Sequence, residues 1–568
     1  MPSDERRRLS RRSVLAAGAA VPLLGLLDKV NPAVAAAPAN ATSFVPLSPK
    51  RIADTRGAGE TGYAPFGFTR LDDHSIRVQI TGQGGVPATA RAAVLNVTAT
   101  NPGGPGWVKV VPTGSVPAEV SNINVEQSGQ ILANLVTVQL PASGQVDIVC
   151  YDPLDVVVDI AGAYVPATTS GRYVGLEQSV RVLDTRDNPG RTKVGGGQVQ
   201  HVDLWPVPNG ATAVVVNLTV TESNGPGFWT AYVPGGAVPI ASNVNTDEAD
   251  QTRANQAILP IVGNNRSIDV FSYSGGHLVV DVAGYFTAQN PQRPDDGLFV
   301  PNTPYRAIDT RRDARYGRMY PKWVCEFVFS GMLGAQAAVI NLTTSETRGP
   351  GWFAAYAART DRPDPGSNLN ASRVNQTIAN HAIARTSTAG IAVYTYAGGD
   401  VIADVAGYFT GVPRVADQPQ VQNTVPPPSP LPYTITVPSL GIVGTIVEGV
   451  GDNVVNAGYV GHWPGTGLSG EDDHMVLFAH RTEHGGIFRN IHALGPGSQV
   501  IIRGADGRTY TYEYTDRALT GPAATQIYSA GLGSAQPSMS LVACTKTNFQ
   551  PTDTRYRIVV NFTQIQQT

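Results

Sequence analysis

Apolar and β-branched residues recur along this chain in short bursts, such as Ala213-Val-Val-Val-Asn-Leu-Thr-Val and His277-Leu-Val-Val-Asp-Val-Ala, separated by clusters of Gly, Pro, Asn and Ser. Bursts of that length, rich in Val and Ile and bounded by turn residues, predict strands. Further segments of the same kind follow near the C-terminus: Tyr433-Thr-Ile-Thr-Val, Met475-Val-Leu-Phe-Ala, Ser498-Gln-Val-Ile-Ile-Arg, Thr509-Tyr-Thr-Tyr-Glu-Tyr, Ser540-Leu-Val-Ala-Cys and Arg557-Ile-Val-Val-Asn-Phe. Strict alternation holds in some and fails in others, the pattern of a small closed barrel with both lined and covered positions. An all-β chain of sandwiches or barrels follows.

The strands fall into a unit that occurs three times. Each copy opens on Asp-Thr-Arg (Asp54, Asp184, Asp309) and passes through Asn-Val/Leu-Thr (Asn96, Asn217, Asn341) to Gly-Pro-Gly-aromatic, ending at Trp107, Phe228 and Trp352. Ser-Asn-x-Asn (Ser121, Ser242, Ser367) and Ala-Asn (Ala133, Ala254, Ala379) come next, and the unit closes on Asp-Ile/Val-Ala-Gly at Asp159, Asp281 and Asp404. Spacings of 130 and 125 residues between the Asp-Thr-Arg triplets exceed any solenoid period, so each copy is expected to fold as a bead with its own core. Asp-Thr-Arg reads either as an Asp–Arg pair or Asx-turn that fixes the start of each unit, or as the lining of a sugar or cell-wall site. The aromatic after Gly-Pro-Gly packs under its own turn or serves as a stacking platform.

From Gly411 to Leu431 the composition shifts to Pro-rich sequence, with Pro426-Pro427-Pro428-Ser429-Pro430, which favours an extended spacer. A length of 568 residues calls for several domains, and 61 Gly and 43 Pro against 15% charged residues disfavour long surface helices. With a formal charge of −3 and no long basic run, nothing marks a nucleic-acid surface. Three cysteines are too few for a disulfide framework; Cys150 and Cys325 sit in apolar runs and read as small buried thiols, with a bridge between them as the alternative. At the N-terminus, Ser10-Arg11-Arg12-Ser13-Val14-Leu15 resembles a twin-arginine export motif. The apolar stretch Val14 to Leu27 that follows spans about 21 Å as a helix, short of the bilayer core. Cleavage between Ala35 and Ala39, and an extracellular or wall-associated product, are the expectation.

The region 431–568 holds five histidines (His462, His474, His480, His484, His492) and Cys544. Three stretches there carry a family pattern: Gly461-His-Trp-Pro-Gly-Thr-Gly-Leu-Ser-Gly-Glu, Leu477-Phe-Ala-His480-Arg481-Thr-Glu-His-Gly-Gly-Ile-Phe488, and Leu494-Gly-Pro-Gly-Ser-Gln-Val. Ser540-Leu-Val-Ala-Cys544 and Arg557-Ile-Val-Val complete it. Together, in the order His, Cys, Arg, they resemble the sortases, cysteine transpeptidases that act outside the cell, and in detail the class E group of actinobacteria. The repeats are similar to β-rich units that accompany other domains in exported actinobacterial proteins. The expected fold is thus all-β and multidomain, three tandem sandwich or barrel-like repeats followed by a sortase-type barrel. The expected boundaries are 1–39 (signal), 40–167, 168–290 and 291–412 (repeats), 413–431 (linker) and 432–568 (catalytic domain).

Acyl transfer from an amide needs a nucleophile, an acid/base and a group to hold the developing oxyanion; a thiol, an imidazole and a guanidinium supply these. The resemblance implies Cys544 as nucleophile, His480 as acid/base and Arg557 in the third role. Arg555, two residues away and so on the same strand face, is the alternative. It also implies attack on the Thr–Gly bond of a Leu-Pro-x-Thr-Gly or Leu-Ala-x-Thr-Gly signal on a surface protein. The resulting thioester is resolved by an amine on a peptidoglycan precursor or another protein. No cofactor is implied. His480 and His484 stand at a spacing that chelates metal on a helix face, but Gly485-Gly486 argues against a helix there, so no metal is expected. Ala543 replaces the Thr that the family carries before its nucleophile, which removes any hydroxyl contact from that position. The competing reading makes the repeats the working part, a surface adhesin or wall-binding protein with a degenerate head.

Overall fold

In the computed structural model, described for residues 37–115, 119–187, 192–287, 293–363, 366–373, 375–424, 431–471, 473–521, 537–549 and 556–567, strands dominate throughout. Among the described residues no helix is long and apolar enough to cross a membrane. The export signal expected at 1–39 lies almost wholly outside the described residues.

Each repeat is a two-sheet sandwich. In the first, Ala92–Thr100 lies between Leu132–Gln139 and Asp155–Pro166 in an inner sheet, while an outer sheet carries Ser75–Gln79, Gln145–Cys150 and Gly106–Pro112. The outer strand Gln145–Cys150 alternates buried and half-exposed positions, whereas Ala92–Thr100 is buried at every position. The difference has a cause: inner strands are covered on both faces. One face meets the repeat's own outer sheet, and the other meets a cluster drawn from all three repeats, including Phe44, Tyr164, Tyr173, Phe286, Phe299 and Phe409. The repeats therefore have cores of their own but are not separate beads. Moreover, the inner sheets of the first and third repeats join into one eight-stranded sheet where Thr42 pairs with Phe299.

The repeated motifs make this closure. Asn96 donates through Nδ2 to the Ser242 carbonyl, Asn217 to Ser367 and Asn341 to Ser121, so each repeat grips the next and the third grips the first. A second cycle runs from Asn134 to Asn341, Asn255 to Asn96 and Asn380 to Asn217. The glycine that ends Asp-Ile/Val-Ala-Gly is required by the shared cluster: a Cβ on Gly162 would lie 2.3 Å from the Phe44 ring, and Gly407 stands likewise against Phe299. Asp-Thr-Arg is structural. Asp54 takes Nε and Nη2 of Arg56 at 3.0 and 2.7 Å and the Arg56 backbone N–H at 3.1 Å, and Arg51 bridges it to Asp159. The same fork recurs at Asp184 and Asp309. Cys150 and Cys325 are free, buried thiols, which burial pushes up to about 12.

The expected spacer is in part no spacer. The Arg414 backbone bonds to Thr386 and Thr388, Asp417 and Gln418 donate to the Arg359 carbonyl, and Asn423 pairs with the Val324 backbone through both amide atoms. Trp323 Nε1 donates to the Thr424 carbonyl at 3.0 Å. The chain is thus fastened to the third repeat as far as Thr424, and Pro426-Pro427-Pro428 lies outside the described residues.

The C-terminal region is a closed eight-stranded barrel. Its strands are β1 (Tyr433–Val437), β2 (Ile442–Glu448), β3 (Val460–His462), β4 (His474–Phe478), β5 (Gln499–Arg503), β6 (Thr509–Thr520), β7 (Ser538–Thr545) and β8 (Tyr556–Gln567). Around the barrel they run β1, β2, β3, β4, β7, β8, β6, β5, closed by β5 on β1. Inward positions such as Leu477, Leu541, Ala543, Ile558 and Val560 form one core.

Candidate functional site

Period-two alternation decides which side chains leave the barrel core on β4, β7 and β8. With Leu477, Leu541, Ala543 and Ile558 pointing inward, the even positions of β4 and β7 and the odd positions of β8 form the opposite face. β4 and β7 are parallel with Phe478 opposite Val542, and β7 and β8 are antiparallel with Val542 opposite Val559 and Cys544 opposite Arg557. The Ala479 N–H bonds to the Val542 carbonyl at 3.4 Å, carrying the parallel register past the end of β4. His480 follows Ala479 directly, in the segment after β4. Cys544 and Arg557 therefore sit side by side in one cross-strand row, and His480 lies in the segment that continues β4 past its end. Directly behind it runs an apolar row, Phe478, Val542 and Val559; Val542 and Val559 are buried with Val476, and Phe478 packs against them.

Cys544 and Arg557 are half-buried, and the Arg557 guanidinium lies 5.9 Å from the centroid of the Phe478 ring. His480, also half-buried, donates from Nε2 to Oδ1 of Asn456 at 2.8 Å, and its ring is 5.2 Å from that of His484. Asn456 directly follows the one-turn helix Asp452–Val455. Arg555 lies outside the described residues. Ala543 is fully buried in the barrel core, on the face away from Cys544, so the position before Cys544 does not open onto this row.

One residue to which the sequence assigned no role organises the row's edge. Arg481, one step past His480, turns inward and is 2% exposed. Its guanidinium donates to the carbonyls of Arg489 (2.9 Å), Phe549 (3.1 Å) and Cys544 (3.4 Å), to Thr545 Oγ1 (3.0 Å) and to Nδ1 of His492 (2.8 Å). One buried cation thus ties the segment after His480 to the strand end that carries Cys544. Burial holds Arg481 below its usual range, and the charge of Cys544 acts in the opposite sense. Burial, then Arg481 itself, keeps His492 below the ordinary imidazole range, which suits Nδ1 as an acceptor. An arginine at an inward position is the only signal in the sequence, and it is legible only once the strand parity is fixed.

The remaining histidines have structural partners. His474 bonds Ser538 and Ser540 through its two ring nitrogens, both at 2.8 Å, and Ser540 continues to Asn561 and Asp516. His462 meets Glu448 at 2.6 Å and the Gly467 carbonyl at 3.0 Å.

The family model of the Sortase domain matches residues 435–564. Among solved structures, the chain is similar to the SrtA sortase from Actinomyces oris, at 20% identity over 26% of this chain and 89% of that one, with a TM-score of 0.24. It is also similar to Sortase E1 from Streptomyces coelicolor (22%, 24% and 88%, 0.22) and to a Sortase D5 transpeptidase from Clostridium perfringens (23%, 24% and 79%, 0.21). No curated protein matches the chain. The closed barrel that carries His480, Cys544 and Arg557 is thus the region that the Sortase domain model matches, and it is joined to three β-repeats that interlock in a cycle.

Proposed function

We propose that this chain is an exported cysteine transpeptidase. The Cys544 thiolate attacks the Thr carbonyl carbon of a Leu-Pro-x-Thr-Gly or Leu-Ala-x-Thr-Gly signal, and Arg557 donates to the oxygen on which charge develops. The C–N bond breaks as His480 gives a proton to the departing glycine amine, leaving a thioester on Cys544. The neutral amine of an acceptor, on a wall precursor or another protein, then attacks the thioester carbonyl carbon; His480 takes a proton from the attacking nitrogen as the C–N bond forms, and the C–S bond breaks to release the Cys544 thiolate. The observation that carries the proposal is the cross-strand pair Cys544 and Arg557, with His480 just past the end of the neighbouring strand, backed by apolar side chains and tied to the buried Arg481.

The test is intact-mass and product analysis of the protein, wild type beside Cys544→Ala, with both peptide types and a glycine-amine acceptor. A Cys544-dependent acyl adduct and an amine-ligated product are expected. A folded protein that forms no adduct with either peptide would overturn the proposal, and hydrolysis unaffected by added amine would make it a peptidase.

A further inference from the structure

The repeats present three equivalent aromatic pairs on their Gly-Pro-Gly strands, and the pair of the second repeat faces the Asp-Thr-Arg end of the first across a cleft. The strand pairing fixes the correspondences: Trp107, Phe228 and Trp352 are equivalent, as are Tyr151, Tyr273 and Tyr396. At two of the three positions a cation of the chain itself stands over the aromatic ring. At the junction of the third repeat with the first, Lys109 Nζ stands 4.3 Å from the centroid of Trp107, Arg373 pairs with Glu126 at 2.8 Å, and Arg312 reaches across to Glu119. At the junction of the second with the third, Arg362 lies 5.3 Å from Trp352 and 4.0 Å from Tyr394.

The cleft between the first and second repeats has the same floor without that cover. Phe228 stacks on Tyr273 at 5.1 Å and 20°, with Phe271 at 6.0 Å. Among the described residues no Lys or Arg lies over any of the three rings. The cleft encloses about 940 Å³. At its base is Asp247, the counterpart of Glu126. One carboxylate oxygen accepts the Ile131 N–H at 2.8 Å, while the other makes no hydrogen bond and stands 3.7 Å from Arg253. Burial holds this carboxyl above its ordinary range, as expected of a charge with an incomplete set of partners. The facing Arg51 and Arg56 are already engaged by Asp54 and Asp159. Ile240 and Tyr273, which line the cleft, are 78% and 60% exposed.

What the chain places over the aromatic rings at the other two positions, and not over Phe228 and Tyr273, is a cation on an aliphatic stem. Aromatic faces attract such a charge, and an apolar rim accommodates its methylenes. We propose that the cleft between the first and second repeats binds a lysine or arginine side chain on an extended segment of a partner protein. The charged head lies over Phe228 and Tyr273 and against Asp247, and the stem lies along Val238 and Ile240.

The test is calorimetric titration of the full chain with end-blocked pentalysine and with the same peptide fully acetylated. Saturable binding of pentalysine alone is expected, weakened about tenfold by Tyr273→Ala and by Asp247→Asn. The equivalent change in the third repeat, Tyr396→Ala, should leave it unchanged. If Asp247→Asn lowers the melting temperature, Tyr273→Ala, at an exposed ring, decides alone. Absence of saturable binding, or equal loss with Tyr396→Ala, overturns the proposal. Tighter binding of the acetylated peptide or of tetra-N-acetylchitotetraose also overturns it and assigns the cleft to a neutral ligand.

Discussion

Acidification should loosen the ring of repeats through His381. This imidazole, from the third repeat, is 3% exposed and touches both other repeats: its ring nitrogens meet Thr137 Oγ1 of the first at 3.0 Å and Gln256 Oε1 of the second at 2.8 Å. Burial lowers its pKa to about 3, against an ordinary 6.5 in the unfolded chain. Between these values the unfolded state binds the extra proton, so the stability His381 contributes is whole above pH 6.5 and is lost as pH falls towards 3. At 1.36 kcal/mol per unit, about 2 kcal/mol is lost by pH 5 and at most about 5 kcal/mol in all. Carboxyls such as Asp400, which burial and then Glu346 push up to about 6, act in the opposite sense, so the wild-type slope alone is not diagnostic. The assay is urea unfolding of the full chain from pH 4.5 to 7.5, wild type beside His381→Gln, which keeps a neutral polar group in place. The difference between the two should shrink by about 2 kcal/mol from pH 7 to pH 5. Parallel pH profiles would refute the reasoning.

Arg481→Met leaves the carbonyls of Arg489, Cys544 and Phe549 without their donor; a loss of about 3 kcal/mol and faster amide exchange around 540–545 are expected, with Arg481→Lys intermediate because an ammonium lacks the planar fork. Arg557→Ala should reduce kcat/KM for peptide transfer on the order of 10²-fold while the circular dichroism melt is unchanged, and Arg557→Lys should recover part of the rate. Asp184→Asn removes the charge that holds Arg181 and Arg186, and should cost about 1–3 kcal/mol in urea unfolding without altering transfer by the barrel.

The β class, the threefold repetition and the barrel were legible because strand alternation and turn chemistry are local. The residue types of the candidate row were legible too, through motif order. The junctions between repeats were not. Asn96, Asn217 and Asn341 were legible as a repeated motif but not as contacts, since the carbonyls they bond lie about 150 to 220 residues away, and no local pattern encodes such a contact. The complete burial of Ala92–Thr100 is a comparable sign, since one sandwich would leave its second face wet. Asn456 escaped notice because it reaches His480 only through the fold.

The meeting of Thr42, Phe299 and Phe409 on neighbouring strands has a mechanical consequence. The array of repeats begins and ends about two strand spacings apart, roughly 10 Å. A pull on its two ends is carried by that seam rather than along the array, and the second repeat bears no load until the seam parts. Some 370 residues thus add girth and surface to the molecule but almost no length, so the array cannot serve as an extensible tether.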